Sequence, residues 1–322
     1  MNNLMKSILY PEYSKKFAYE YCLKNNIPII NQNYLTSQEE LKGRHYLFYV
    51  EISTNNNCNI IHIKNMLDDR ISKMNLHFCQ FYPTSTSQHL DSIYYCGGYK
   101  GSQTSGQYLN DCTTIILSKM EISNHLKLNE IKSSVSLLST PKILFCLGGW
   151  RNQVLKSCEI LINGKNKWEL TCSLNDSNFE ITSAYINKGY IYAFGGSSRS
   201  LVERLKLMKG SFLLFDDPKW ERLDISNTFK RAYGCTFMIS NSAFLMFGGS
   251  YKDKSISIFD HESKEIIKVG KDSNGYQFGS SNPIIWKDSL NVVGTDEDKE
   301  IQYKIITMNL FDFSLQEKLC NF

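Results

Sequence analysis

Four times in this 322-residue chain an apolar run closes on two adjacent glycines. The runs are Ser92-Ile93-Tyr94-Tyr95-Cys96-Gly97-Gly98, Ile143-Leu144-Phe145-Cys146-Leu147-Gly148-Gly149, Tyr190-Ile191-Tyr192-Ala193-Phe194-Gly195-Gly196 and Phe244-Leu245-Met246-Phe247-Gly248-Gly249. Their first glycines are 51, 47 and 53 residues apart. A fixed period of this length means one supersecondary unit repeated along the chain, each burying its apolar surface against the next. Glycine at the end of each run supplies positive φ and lets backbones approach where a side chain would collide. Two fainter copies extend the series. Leu290-Asn291-Val292-Val293-Gly294 lies 46 residues after Gly248, and residues 46–51, one period before Gly97, keep the apolar run without the glycines.

The order within each unit repeats as well. A polar loop follows the glycines, and then a second apolar stretch at 113–117, 158–162, 202–207, 255–259 and 303–310. A turn and a further stretch come next, opened by Trp168 and Trp220 in the third and fourth units. A short segment such as 181–186 or 232–239 precedes the glycine run. Four short strands per unit, joined by turns, make one blade of a β-propeller. The expected fold is therefore all-β, a six-bladed propeller over residues 44–322 with blades near 44–80, 88–130, 131–175, 181–226, 232–270 and 278–322. Aromatic residues at 13% suit strands. Cys96 and Cys146 fall inside the apolar runs and are expected in the core between blades.

These residues resemble the kelch-repeat family, in a divergent form similar to kelch proteins of protists. The likeness rests on the apolar-run-Gly-Gly element and on Leu155-Lys156-Ser157-Cys158-Glu159-Ile160 closing at Trp168, similar to a kelch third strand and its turn. Arg231-Ala232-Tyr233-Gly234 is similar to the opening of a kelch first strand. The resemblance implies a kelch-type propeller that binds other proteins and is not an enzyme. The expected role is a scaffold subunit of a larger assembly, cytoskeletal or ciliary in kind. Two alternatives are a substrate-recognition adaptor of a ubiquitin-ligase-type complex and a kelch-type sugar-acid mutarotase. No BTB or F-box domain reads in the residues before the first blade.

Residues 1–43 form an N-terminal extension. Tyr10, Tyr13, Phe17, Ala18, Tyr21 and Cys22 fall at helical spacing, with Pro11 early, so a short amphipathic helix is expected. It either packs on the propeller or docks a partner. Ile27-Pro28-Ile29-Ile30 is a candidate for a missing strand of the first blade, with Pro28 at its start or on an edge. Pairing N-terminal with C-terminal strands would close the ring and remove open edges.

Little in the chain reads as chemistry. No nucleophile elbow, Walker phosphate loop or dinucleotide fingerprint occurs. His45, His62, His77, His89, His125 and His261 stand apart from one another, and no C-x-x-C pair occurs among ten cysteines. No catalytic residue, metal site or cofactor is expected, and Asp296-Glu297-Asp298 reads as a solvated loop. The net charge of +4 comes without a basic run, so nucleic acid is not an expected partner. No stretch is long and apolar enough for a membrane span, and no N-terminal leader reads, so reduced cysteines and a cytoplasmic location are expected.

On a rigid repeat, binding residues concentrate in the end loops. The loops after the glycine pairs carry Tyr99 and Lys100, Trp150 and Arg151, Arg199, and Tyr251 and Lys252. Tyr, Trp and Arg are the residue types most enriched at binding hot spots. An acidic or phosphorylated peptide, held by charge-assisted hydrogen bonds, is the expected ligand of such a face.

Overall fold

The computed structural model describes residues 46–51, 59–76, 86–100, 106–140, 142–176, 178, 181–186, 189–196, 202–208, 217–225, 232, 234–239, 243–249, 255–271, 276, 278, 283–286, 289–295, 303–309 and 315–320. The expected helix at 9–23, the strand candidate at 27–30 and the acidic trio at 296–298 lie outside these residues.

The described chain is all-β, folded into six small antiparallel sheets taken in sequence order. Sheet one holds β1 (Tyr46–Glu51), β2 (Ile60–Asn65) and β3 (Ile71–Asn75). Sheet two holds β4 (Thr86–His89) and β5 (Ser92–Cys96), then β8 (Asp111–Ile116) and β9 (Glu121–Lys127); between β5 and β8 stand β6 (Tyr99–Lys100) and β7 (Gln107–Tyr108), a separate two-stranded hairpin. Sheet three is β10 (Ser136–Ser139), β11 (Ile143–Trp150), β12 (Val154–Ile162) and β13 (Glu169–Thr171). Sheet four is β14 (Thr182–Ile186), β15 (Tyr190–Phe194), β16 (Val202–Lys206) and β17 (Trp220–Leu223). Sheet five is β18 (Cys235–Met238), β19 (Ala243–Phe247), β20 (Ser255–Asp260) and β21 (Glu265–Lys271). Sheet six is β22 (Ile284–Trp286), β23 (Ser289–Thr295), β24 (Tyr303–Asn309) and β25 (Leu315–Leu319). Sheet one thus shows three strands among the described residues, where four per unit were expected.

The glycine runs are unbroken in apolar character because their strands are covered on both faces. On β15, Ile191 and Ala193 pack with sheet three while Tyr192 and Phe194 pack with sheet five. On β11, Phe145 and Leu147 pack toward sheet four, and Leu144 and Cys146 toward sheet two. Every consecutive pair of sheets shares such a cluster. Sheet six shares one with sheet one, where Leu47 and Tyr49 of β1 meet Ile284 and Val293. Tyr303 Oη also donates to the Val50 carbonyl at 3.0 Å. Burial of this kind contributes about 25 cal/mol per Å2 of apolar surface removed from water.

The glycine pairs sit where one sheet meets the chain entering the next. All eight have positive φ. The Gly98 N–H donates to the Lys132 carbonyl at 2.8 Å, just before sheet three, and the Gly149 N–H to the Asn178 carbonyl at 3.0 Å, just before sheet four. A Cβ at Gly97 or Gly148 would run into those same carbonyls.

One expectation about cysteine fails. Cys96 and Cys112 face each other across the β5–β8 ladder and are joined as a disulfide, so these two are not reduced thiols. Their strands are adjacent and the pair is buried, which brings the sulfurs together whatever the sequence spacing. Among the described residues Cys146, Cys158, Cys172 and Cys320 are free thiols.

Candidate interaction surface

Past the glycine pairs, two hairpins stand side by side. In sheet two the chain rises through β6 and returns through β7, with Tyr99 opposite Tyr108 and Lys100 opposite Gln107. In sheet three β11 and β12 extend beyond Gly149, pairing Trp150 with Val154, and a tight turn at Asn152 reverses the chain. The Trp150 indole N–H donates to the Tyr108 hydroxyl at 3.0 Å, joining the two hairpins. Tyr99 meets Tyr108 edge to face, with ring centroids 4.8 Å apart, and its hydroxyl accepts the Gly106 N–H at 3.0 Å. Trp150 is fixed from beneath by two backbone hydrogen bonds with Ser133. The aromatic platform is therefore positioned before any ligand arrives.

Lys100 and Arg151 flank this platform and are exposed. Neither has a carboxylate partner among the described residues. Of the candidate binding residues, Tyr99, Lys100, Trp150 and Arg151 are brought to the same end of neighbouring sheets. Arg199, Tyr251 and Lys252 lie outside the described residues. Tyr108 was not anticipated, because an isolated aromatic in a polar loop carries no periodic signal.

Under the surface, two buried carboxylates tie the sheets together. Glu159 on β12 accepts the backbone N–H of Asn129 at 2.6 Å, its side-chain amide at 2.9 Å and the Glu130 N–H at 3.3 Å. Asn129 Nδ2 also donates to the Trp168 carbonyl at 2.9 Å. Glu203 on β16 repeats the arrangement, accepting the Asn175 N–H and amide and the Asp176 N–H, while Asn175 Nδ2 also donates to the Trp220 carbonyl. In each case the segment leaving one sheet is clasped to the third strand of the next. Glu159 has one further partner: Lys132, wholly buried, lies 3.0 Å away. Burial opposes the Lys132 charge, yet the Glu159 carboxylate beside it outweighs that cost and holds its pKa above the ordinary lysine value. These clasping residues also went unread in the sequence. Their signal was present as Leu128-Asn129-Glu130 and Leu174-Asn175-Asp176, 46 residues apart.

Among the described residues no three His, Cys, Asp or Glu side chains converge to hold a metal ion. No helix among them is long and apolar enough to cross a membrane. His62 pairs with Glu51, and His89 bridges Ser139 and Asn163 between sheets two and three. No family model matches the chain, and no curated protein matches it.

Proposed function

We propose that the six sheets are the blades of a closed kelch-type β-propeller and that the chain is an interaction scaffold, binding an acidic or phosphorylated segment of another protein across the paired hairpins. The observation that carries this reading is the preassembled pair of half-buried rings, Tyr108 and Trp150, backed by the buried Tyr99 and flanked by two exposed cations. A rigid aromatic centre supplies contact area at low entropic cost, and exposed cations supply the charge-assisted hydrogen bonds. The cyclic series of shared apolar clusters supports ring closure.

The test is binding of fluorescent acidic and phosphorylated peptide pools to the full chain, measured by anisotropy at two salt concentrations. The Trp150→Ala/Arg151→Ala double variant is expected to lose at least about 2 kcal/mol of binding while keeping its melting temperature. Unchanged binding in that variant would remove the surface from consideration. Closure has its own test. Sheet one shows three strands among the described residues, so a closed ring draws the fourth from elsewhere in the chain. Deleting residues 1–43 is then expected to lower the melting temperature, by about 1–2 °C for each kcal/mol lost in a domain of this size. An unchanged melting temperature would show that the extension contributes no strand.

A further inference from the structure

We propose that Cys96 and Cys112 form a reversible redox lock on the β6–β7 hairpin, governing how freely the binding platform opens. The regulatory consequence rests on the paired hairpins being the binding surface; the lock itself does not.

Cys96 lies opposite Cys112, and the next pair along is hydrogen-bonded from Gly97 N–H to the Asp111 carbonyl at 2.9 Å. The cysteines therefore occupy the closer, non-hydrogen-bonded type of cross-strand position. The corresponding pairs in other sheets are Leu147 with Cys158, Phe194 with Val202, and Val293 with Ile305. That position needs only apolar packing. Reduced Cys96 and Cys112 meet the need as small apolar side chains among Leu128, Val135 and Leu137. Both redox states are thus compatible with the same sheet, as a switch requires.

The link encloses residues 97–111, the whole excursion that carries Tyr99, Lys100 and Tyr108. Backbone hydrogen bonds otherwise hold the stems of that excursion: Gly98 to Lys132, Leu109 to Gly98, and Lys132 to Leu109. Such bonds open locally, whereas a covalent link at the base stops the stems from separating. Both cysteines are fully buried, so exchange proceeds when the hairpin lifts. Cys146 and Cys158, the buried thiols nearby, have pKa values pushed up to about 12 by burial and compete poorly as thiolates.

Oxidation occurs by exchange with a low-molecular-weight disulfide such as glutathione disulfide. One cysteine thiolate attacks it, forming a mixed disulfide and releasing one glutathione thiolate. The second cysteine thiolate attacks the protein-side sulfur, forming the Cys96–Cys112 bond and releasing the second glutathione thiolate. The two protein sulfurs give up two electrons, glutathione disulfide takes them, and the protons end on the two glutathione thiols.

The test equilibrates the full chain with glutathione buffers of graded redox ratio, alkylates free thiols and reads Cys96 and Cys112 by mass spectrometry. In parallel, limited trypsin digestion follows cleavage after the exposed Lys100. The expected result is loss of both thiols together, with cleavage after Lys100 slowed on the order of ten-fold in the oxidised form. Cys112→Val, carrying the residue that sheet four has at this position, is expected to fold and to be cut equally fast in every buffer. Two thiols that stay alkylatable at the most oxidising ratio, or equal cleavage rates in both states, would overturn the lock. Neither readout uses a partner. A lock that responds as expected in a chain that binds no acidic peptide would therefore count against the binding surface alone.

Discussion

The junction between sheets two and three and the junction between sheets three and four use one clasp, closed differently. In both, a buried glutamate on the third strand gathers two backbone N–H groups and an asparagine amide from the incoming chain. Glu203 stops there. Glu159 also faces the ammonium of Lys132, with both side chains fully buried. A buried carboxylate can be satisfied by neutral donors alone, so the lysine is an addition to a clasp that already works. What it adds is dependence: two charges removed from water must stay together.

Removing the carboxylates should expose that dependence as the largest effect. Glu159→Ala leaves the buried Lys132 with the Ser157 hydroxyl at 3.5 Å and the more distant carboxylate of Glu130 at 4.0 Å, and strands three donors. The expected loss is about 3–5 kcal/mol. Glu203→Ala strands the same donors with no charge left behind, for an expected loss of about 1–3 kcal/mol. Denaturant midpoints with unchanged slopes would measure both. Equal losses would mean that the ion pair adds nothing to the clasp. In the double variant Lys132→Met/Glu159→Gln, part of the Glu159→Ala loss should return, because no unpaired charge remains.

Legibility in the sequence follows the same division. The second strands can be read because burial on both faces makes them nearly continuous apolar runs, whereas third strands mix apolar with polar or charged residues, as in Val202–Lys206, and are placed by their spacing after the glycines. Outer strands are harder: β25 alternates nothing, with Gln316, Glu317, Lys318 and Leu319 all exposed, and β13 is three residues long. Glycine pairs are legible because positive φ and close approach admit few other residues. Tyr99 and Trp150 follow from their place after those glycines. The hairpin that brings Tyr108 to Trp150 does not, since two-residue strands have no period to detect. Glu159 and Glu203 escape for another reason: a charged residue beside an apolar run ordinarily faces water, and only the register shows that these face the neighbouring sheet's chain. The meeting of Cys96 and Cys112 is likewise a matter of register.

A second, smaller effect sharpens the role of the glycines at these junctions. Gly148 and Gly164 both have positive φ, but a Cβ at Gly148 meets the Asn178 carbonyl, while a Cβ at Gly164 meets nothing within 4 Å. Gly164→Ala should carry only the left-handed backbone penalty, about 1–2 kcal/mol. Gly148→Ala should carry that penalty plus about 1–3 kcal/mol for the forced separation of the two sheets. If the two variants lose equal stability, the glycine pairs serve backbone conformation alone and not the joining of sheets.

The junction of sheet six with sheet one shows neither the clasp nor the buried lysine among its described residues, and depends on rings. Tyr49 lies between His62 and Tyr303, with centroids 4.6 and 4.4 Å away, and His62 Nε2 is 2.6 Å from the Glu51 carboxylate. Burial lowers the His62 pKa below its usual value, against the pull of Glu51. The unfolded chain therefore takes up this proton more readily than the folded one. The stability contributed is complete above the unfolded pKa of about 6.5 and is lost as pH falls through it toward the lower folded value. Denaturant midpoints between about pH 7 and pH 5 should fall for the wild type and fall less for His62→Gln, which keeps a polar side chain but cannot titrate. A variant profile as steep as the wild type would assign the acid sensitivity to other groups, and this junction would then hold by apolar packing in the same way as the rest of the series.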